Sequence, residues 1–154
     1  MPEAKVLILT GSKNDLEILK ATEELLKQFG IPYELMVSSA HRNPDRTRKL
    51  ATEAEKKGIK VIIAAAGMAA HLAGVVASLA TLPVIGVPLP GSYMRGMDSF
   101  LATLQMPAGT PVATMAVGSH GAKNAAILAA QILALSDEKL KKRLKRYKAE
   151  LAKK

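Results

Sequence analysis

The sequence contains no cysteine and few aromatic residues. The lack of cysteine excludes disulfide bonds, thiolate metal ligands and a thiol nucleophile. Aromatic residues make up only 3% of the chain, whereas hydrophobic residues make up 49%, so the core has to be built mainly from aliphatic side chains and methionine. This hydrophobic content is too high for a disordered chain. The length of 154 residues predicts one domain, spanning residues 1–154.

Signals for export and for membrane insertion are also missing. The first five residues lead directly into an apolar segment, without the basic flank, long apolar region and cleavage site of a signal peptide. No stretch reaches the roughly 18 uninterrupted apolar residues that a membrane span requires. We therefore expect a cytoplasmic protein without a membrane partner.

The net charge of +9 is concentrated near the C-terminus. Residues 137–154 carry nine cations and three anions, so most of the excess charge lies there. Four apolar residues recur in this segment at intervals of four, three and four: Leu140, Leu144, Tyr147 and Leu151. This spacing predicts a helix over about 137–152 that packs on the core or on a neighbouring subunit, with its cations in solvent. We expect no nucleic-acid partner.

Short apolar runs alternate with helical patterns along the chain. The runs predict strands at residues 5–10, 33–38, 60–65, 83–87 and 111–117. The intervening patterns predict helices at 18–29, 44–57, 69–79, 97–106 and 122–135. Strict alternation favours a parallel sheet covered on both faces. The predicted fold is therefore α/β: a three-layer α/β/α, flavodoxin-like sandwich with a five-stranded parallel sheet and a C-terminal helix.

The predicted helix at 69–79 is apolar on nearly all sides, apart from His71. A helix that covers one face of a sheet needs only one apolar stripe. The second apolar face predicts a subunit interface, and therefore a homo-oligomer.

All three histidines fall in or beside segments that follow predicted strands. Ligands of open parallel sheets bind outside the carboxyl ends of the strands. His41 adjoins Arg42, whose guanidinium can bind a phosphate through two hydrogen bonds. His71 lies among small residues, where a structural role is a serious alternative, and His120 is the weakest of the three candidates.

The segment after the first strand offers an anion site at a helix N-terminus, with Ser12 at its centre. Capping of that helix by Asn14 or Asp15 explains part of the segment equally well. The chain has no GxxxxGK[ST] or GxGxxG motif, so the usual signatures of ATP and dinucleotide binding are absent. No spacing of Asp or Glu with His resembles a ligand set, and we expect no metal.

Seven motifs occur in order between residue 5 and about residue 136. They are Gly11-Ser12-x-x-Asp15, Ser39-Ala40-His41-Arg42-x-Pro44-Asp45, Ala69-Ala70-His71-Leu72, LPVIGVP at 82–88, Gln105-Met106-Pro107, Pro111-Val112-Ala113-Thr114 and AKNAAILAAQIL at 122–133. The chain thereby resembles class I N5-carboxyaminoimidazole ribonucleotide mutase, of the phosphoribosylaminoimidazole carboxylase catalytic subunit family. Arg42 and the Ala69-Ala70-His71 motif favour class I over the relatives that use free CO2.

The resemblance implies an isomerase of purine (IMP) biosynthesis that moves a carboxyl group from nitrogen to ring carbon C4, with no cofactor. It implies phosphate contacts from Ser12, Ser39 and Arg42, and a ribose contact from Asp15. His41 would be the general acid and base and His71 a second catalytic candidate, while Gly67 belongs to the small-residue segment that would close a pocket around CO2. The family implies an octamer with sites between subunits.

Five residues depart from the family pattern: Asn14, Ala73, Tyr93, Arg95 and His120.

Three other interpretations stay open on the sequence. One is an aminoimidazole ribonucleotide carboxylase that uses free CO2. The second is a non-catalytic, flavodoxin-like module that binds a nucleotide or flavin, although few aromatic residues are present to stack on a flavin. The third is a structural or nucleic-acid-binding protein that uses the basic C-terminal segment.

Overall fold

Five parallel strands form one sheet in the order β2–β1–β3–β4–β5 in the computed structural model, which describes residues 3–153. The strands are β1 (Val6–Thr10), β2 (Tyr33–Val37), β3 (Val61–Gly67), β4 (Val84–Leu89) and β5 (Ala113–Thr114). Every neighbouring pair is parallel. This order and direction confirm the predicted flavodoxin-like fold.

Six α-helices connect and follow the strands within residues 3–153. They are α1 (Leu16–Phe29), α2 (Pro44–Glu53), α3 (Leu72–Leu79), α4 (Met97–Leu104), α5 (Ser119–Leu133) and α6 (Glu138–Leu151). Two single 3-10 turns, Lys13–Asp15 and Glu55–Lys57, lie before α1 and after α2.

The helices cover both faces of the sheet, and the side chains of β1 show why. Val6 and Ile8 belong to the core formed with α1, α5 and α6, whereas Leu7 and Leu9 belong to the core formed with α2 and α3. All five residues of β1 are buried, because a strand covered on both faces has no solvent side.

Helix α6 packs on the core of its own chain. Leu140 and Leu144 are buried in the same core as α1, and the Tyr147 ring meets the Phe29 ring edge-on at 5.3 Å between centroids. Arg143 Nη1 donates a hydrogen bond to the Phe29 carbonyl oxygen at 2.5 Å, which satisfies an acceptor at the end of α1. The lysines of α6 are exposed, as the apolar stripe predicts.

Several predicted boundaries were wrong by two or more residues, and three of them concern the site or the edge of the sheet. Helix α3 begins at Leu72 rather than residue 69, because Met68 takes a left-handed conformation (φ 56°) and the turn continues to His71. Helix α5 begins at Ser119, so His120 lies in its first turn. Strand β5 pairs regularly over two residues only, since it is an edge strand, although Met115 N–H still donates to the Gly86 carbonyl at 2.9 Å.

The exposed apolar surface is on α4 rather than on α3. Met97, Leu101 and Leu104 recur at helical spacing and are all at least 45% exposed. In α3, Leu72, Ala73 and Val76 are buried, and its outer residues are small or half-buried. No helix in residues 3–153 combines the length and the apolar character that crossing a membrane requires.

Candidate active site

A cavity of about 810 Å³ opens at the carboxyl ends of β1, β2 and β3. The segments that follow these three strands form most of its wall, and Pro90 and Gly91 after β4 complete it. All seven sequence-predicted site residues line this cavity: Ser12, Asp15, Ser39, His41, Arg42, Gly67 and His71. The strand order explains their proximity, because β2 and β3 are the two neighbours of β1.

His41 and His71 face each other within the cavity. His41 Nε2 lies 2.8 Å from His71 Nδ1, and the two ring planes are inclined at 86°. One of these nitrogens has to donate and the other accept, so the contact holds one proton between the two rings. The protonation of one histidine therefore determines which tautomer of the other fits the contact. The sequence does not reveal this pairing, since the two residues are 30 positions apart in the chain.

Ser12 and Ser39 are held by hydrogen bonds that leave their hydroxyl hydrogens for a ligand. Ser12 Oγ accepts from the Asn14 N–H at 3.2 Å, and Ser39 Oγ accepts from the Arg42 N–H at 3.2 Å. A hydroxyl that accepts in this way retains one donor. Ser12 therefore caps the turn that precedes α1, whereas Asp15, at the N-cap of α1, makes no capping hydrogen bond with its side chain.

Arg42 joins the segments after β1 and β2. Its Nη2 donates to the Gly11 carbonyl oxygen at 2.8 Å. One guanidinium nitrogen is used in this bond, and the remaining N–H groups of the fork suit a phosphate. The sequence does not reveal this contact, because the acceptor is a backbone atom.

Asp15 is oriented by the end of β1. Thr10 is fully buried, and its Oγ1 donates to Asp15 Oδ2 at 2.9 Å. An ionised carboxylate only accepts hydrogen bonds, so the remaining lone pairs of Asp15 suit the hydroxyl groups of a ribose. Thr10 was not among the predicted site residues.

The departures from the family pattern occupy different places. Asn14 lines the cavity, whereas Tyr93, Arg95 and His120 are exposed and do not line it. Arg95 has a left-handed backbone (φ 54°) in the segment that begins with Pro90 and Gly91. Within residues 3–153, no three His, Asp or Glu side chains converge in a way that could hold a metal ion.

The sequence profile of the AIR carboxylase family matches residues 5–154. The chain belongs to this family. It is 54% identical to the N5-carboxyaminoimidazole ribonucleotide mutase of Saccharolobus solfataricus over 147 residues, which cover 96% of this chain and 92% of that protein. It is 51% identical to the mutase of the same name from Thermotoga maritima, over 94% of this chain and 83% of that one.

Solved structures of family members share the fold. The crystal structure of Treponema denticola PurE superimposes with a TM-score of 0.88 at 31% identity. The match covers 97% of this chain and 92% of the other. The overall fold of this chain is therefore shared with that solved structure.

The Arg42 geometry generates a prediction for anion binding. Arg42→Lys keeps the charge but loses the planar fork, so the free energy of ribose 5-phosphate binding should weaken by about 1.5–3 kcal/mol, the range for a hydrogen bond to a charged group. Isothermal titration calorimetry measures the change. Arg48→Lys is the matched control, because Arg48 is exposed on α2 and does not line the cavity. An unchanged affinity in Arg42→Lys would contradict the assignment.

Proposed function

We propose that this chain is an N5-carboxyaminoimidazole ribonucleotide mutase. It converts N5-carboxyaminoimidazole ribonucleotide to 4-carboxy-5-aminoimidazole ribonucleotide in purine biosynthesis. The observation that carries the proposal is the identity of about half the residues, over nearly the whole chain, to relatives with this name. The meeting of the seven candidate residues in one cavity supports it.

In the proposed complex, the phosphate lies against the segments after β1 and β2. Ser12 and Ser39 supply hydroxyl donors there, and Arg42 supplies its guanidinium. Asp15 accepts hydrogen bonds from the ribose. Anchoring both groups places the imidazole ring toward His41, from the segment after β2, and His71, from the segment after β3, which both line the same cavity. Holding the ring in one position removes much of the entropy barrier of the reaction.

The first chemical step breaks the bond between the amine nitrogen and the carboxyl carbon. The electron pair stays on nitrogen, His41 donates a proton to it, and CO2 is released. In the second step, ring carbon C4 attacks CO2 and a carbon–carbon bond forms. His41 then removes the proton from C4, which restores the aromatic ring. The proton given in the first step is recovered in the last, so the reaction needs no cofactor.

Histidine suits this double role, because its ordinary pKa of about 6.5 makes both protonation states accessible near neutral pH. The contact with His71 adds a partner that fixes the tautomer of His41. We propose that His71 makes this contact with His41 and also lies against the imidazole ring of the substrate. The small residues Ala66, Gly67 and Ala69 line the same part of the cavity and leave room for CO2.

Substrate preference tests the proposed function. The purified protein is supplied with either N5-carboxyaminoimidazole ribonucleotide or aminoimidazole ribonucleotide plus bicarbonate, and the initial rates of product formation are compared. We expect the N-carboxylated substrate to react faster at equal concentration. A higher rate with free bicarbonate would instead identify a direct carboxylase, as the family's description suggests. If neither substrate reacts and the protein binds FMN tightly, the chain would be identified as a flavin-binding module.

His41→Asn tests the proton transfers. Asparagine keeps a polar side chain that can form hydrogen bonds but cannot give up or take up a proton at neutral pH. Because general acid–base catalysis is worth about 10²–10⁴ in rate, kcat should fall at least ~100-fold while ribose 5-phosphate still binds. A fall of less than about tenfold with binding intact would place the proton transfer elsewhere, and His71→Asn would be the next variant to compare.

We also propose a cytoplasmic homo-oligomer, an octamer as the family resemblance implies. The exposed stripe of Met97, Leu101 and Leu104 is the surface of α4 that such an assembly would bury. Light scattering at micromolar concentration should give eight times the mass of the chain. Replacing Leu101 and Leu104 with Gln should lower that mass, and a monomeric wild-type protein would contradict the proposal.

A further inference from the structure

A second cavity, of about 440 Å³, lies against the substrate cavity. The two share four residues of their walls: Gly11, Ser12, Ser39 and Arg42. Three of these are the residues assigned to the phosphate. The shared wall is therefore where the phosphate of the substrate would lie, and the second cavity opens on the side of that wall away from the two histidines.

The charged side chains that line the second cavity are all cationic. They are Lys13, from the turn after β1, Arg42, and Arg46 from the first turn of α2. The substrate cavity, in contrast, is lined by the carboxyl group of Asp15 as well as by Arg42. The positive charge is thus concentrated on the phosphate side of the shared wall.

None of these three cations lies within 4.0 Å of a carboxylate in the described part of the chain, where the ion pairs lie elsewhere. Three like charges around one small cavity repel each other in the ligand-free protein. A phosphate monoester carries about −1.5 to −2 charges at pH 7 and relieves this repulsion when it binds. A neutral ribonucleoside does not.

We infer that Lys13 and Arg46 select the phosphorylated form of the substrate. The inference rests on the proposed function for the identity of the ribonucleotide. The two residues act as positioning residues, through the electrostatic potential at the phosphate. Lys13 and Arg46 do not act on the imidazole ring, which is the role of His41, so they affect substrate binding and not the chemical steps.

Lys13→Met and Arg46→Met test this inference, because methionine keeps the length of the side chain and removes the charge. Each variant should raise the Kd for ribose 5-phosphate about two- to fivefold, the effect of one exposed charge pair, and the double variant should raise it further. The weak binding of unphosphorylated ribose should not change. Calorimetry or competition binding measures both ligands.

Steady-state kinetics give the second readout. With N5-carboxyaminoimidazole ribonucleotide, KM should rise in parallel with Kd and kcat should stay within about twofold. The wild-type KM should increase with ionic strength, because salt screens exposed charges, and the double variant should show a weaker increase. Lys49→Met and Arg48→Met are matched controls, since both residues are exposed on α2 and line neither cavity.

Three results would overturn the inference. They are a double variant with the Kd and KM of the controls, a loss of kcat at unchanged KM, and an equal weakening of ribose and ribose 5-phosphate binding. Lys13→Gln and Arg46→Gln repeat the measurement with polar side chains, and circular dichroism checks that each variant is folded. Failure of the wild type to act on the mutase substrate would refute the proposed function alone, because the ribose 5-phosphate comparison does not depend on it.

Discussion

The pairing of β1 with both β2 and β3 determines the geometry of the candidate site. Parallel strands end at the same edge of a sheet, so the segments that follow these three strands have to meet. The buried residues of β1 hold this arrangement, since each face of the strand packs in a different core. Residues separated by 30 positions in the chain, His41 and His71, thereby come within hydrogen-bonding distance.

The hydrogen bonds at this edge of the sheet orient the side chains of the site but leave some of their hydrogen-bond donors unused. Arg42 bonds the Gly11 carbonyl through one nitrogen, and Ser12 and Ser39 accept backbone hydrogen bonds. Each side chain is oriented, yet donors remain for an anion. This preorganisation is what a phosphate site requires, because donors that are already fixed lose little entropy when the ligand binds.

Two of the cations near the proposed phosphate position lie apart from the two histidines. Lys13 and Arg46 line only the second cavity and the two histidines line only the substrate cavity, whereas Arg42 lines both. A ribonucleotide whose phosphate is held at a distance from the ring fits this division.

The sequence alone determined the fold class and the chemical character of the site. Hydrophobic runs and helical periodicity report burial directly, and they predicted the α/β sandwich, the helix that contains Leu140 and Leu144, and the placement of the histidines after strands. Boundaries were less predictable, because the left-handed turn at Met68 that delays α3 depends on backbone geometry that no periodicity encodes.

Only the tertiary structure decided which side chains touch. The contact between His41 and His71, the acceptor of the Arg42 guanidinium, and the second cavity between Lys13 and Arg46 all join residues from different segments. Periodicity and motifs describe neighbours along the chain, whereas these contacts depend on strand order and on backbone atoms. The exposure of Met97, Leu101 and Leu104 has the same origin, since α4 packs on the sheet through the side that carries Ser99 and Thr103 and leaves these three apolar side chains in solvent.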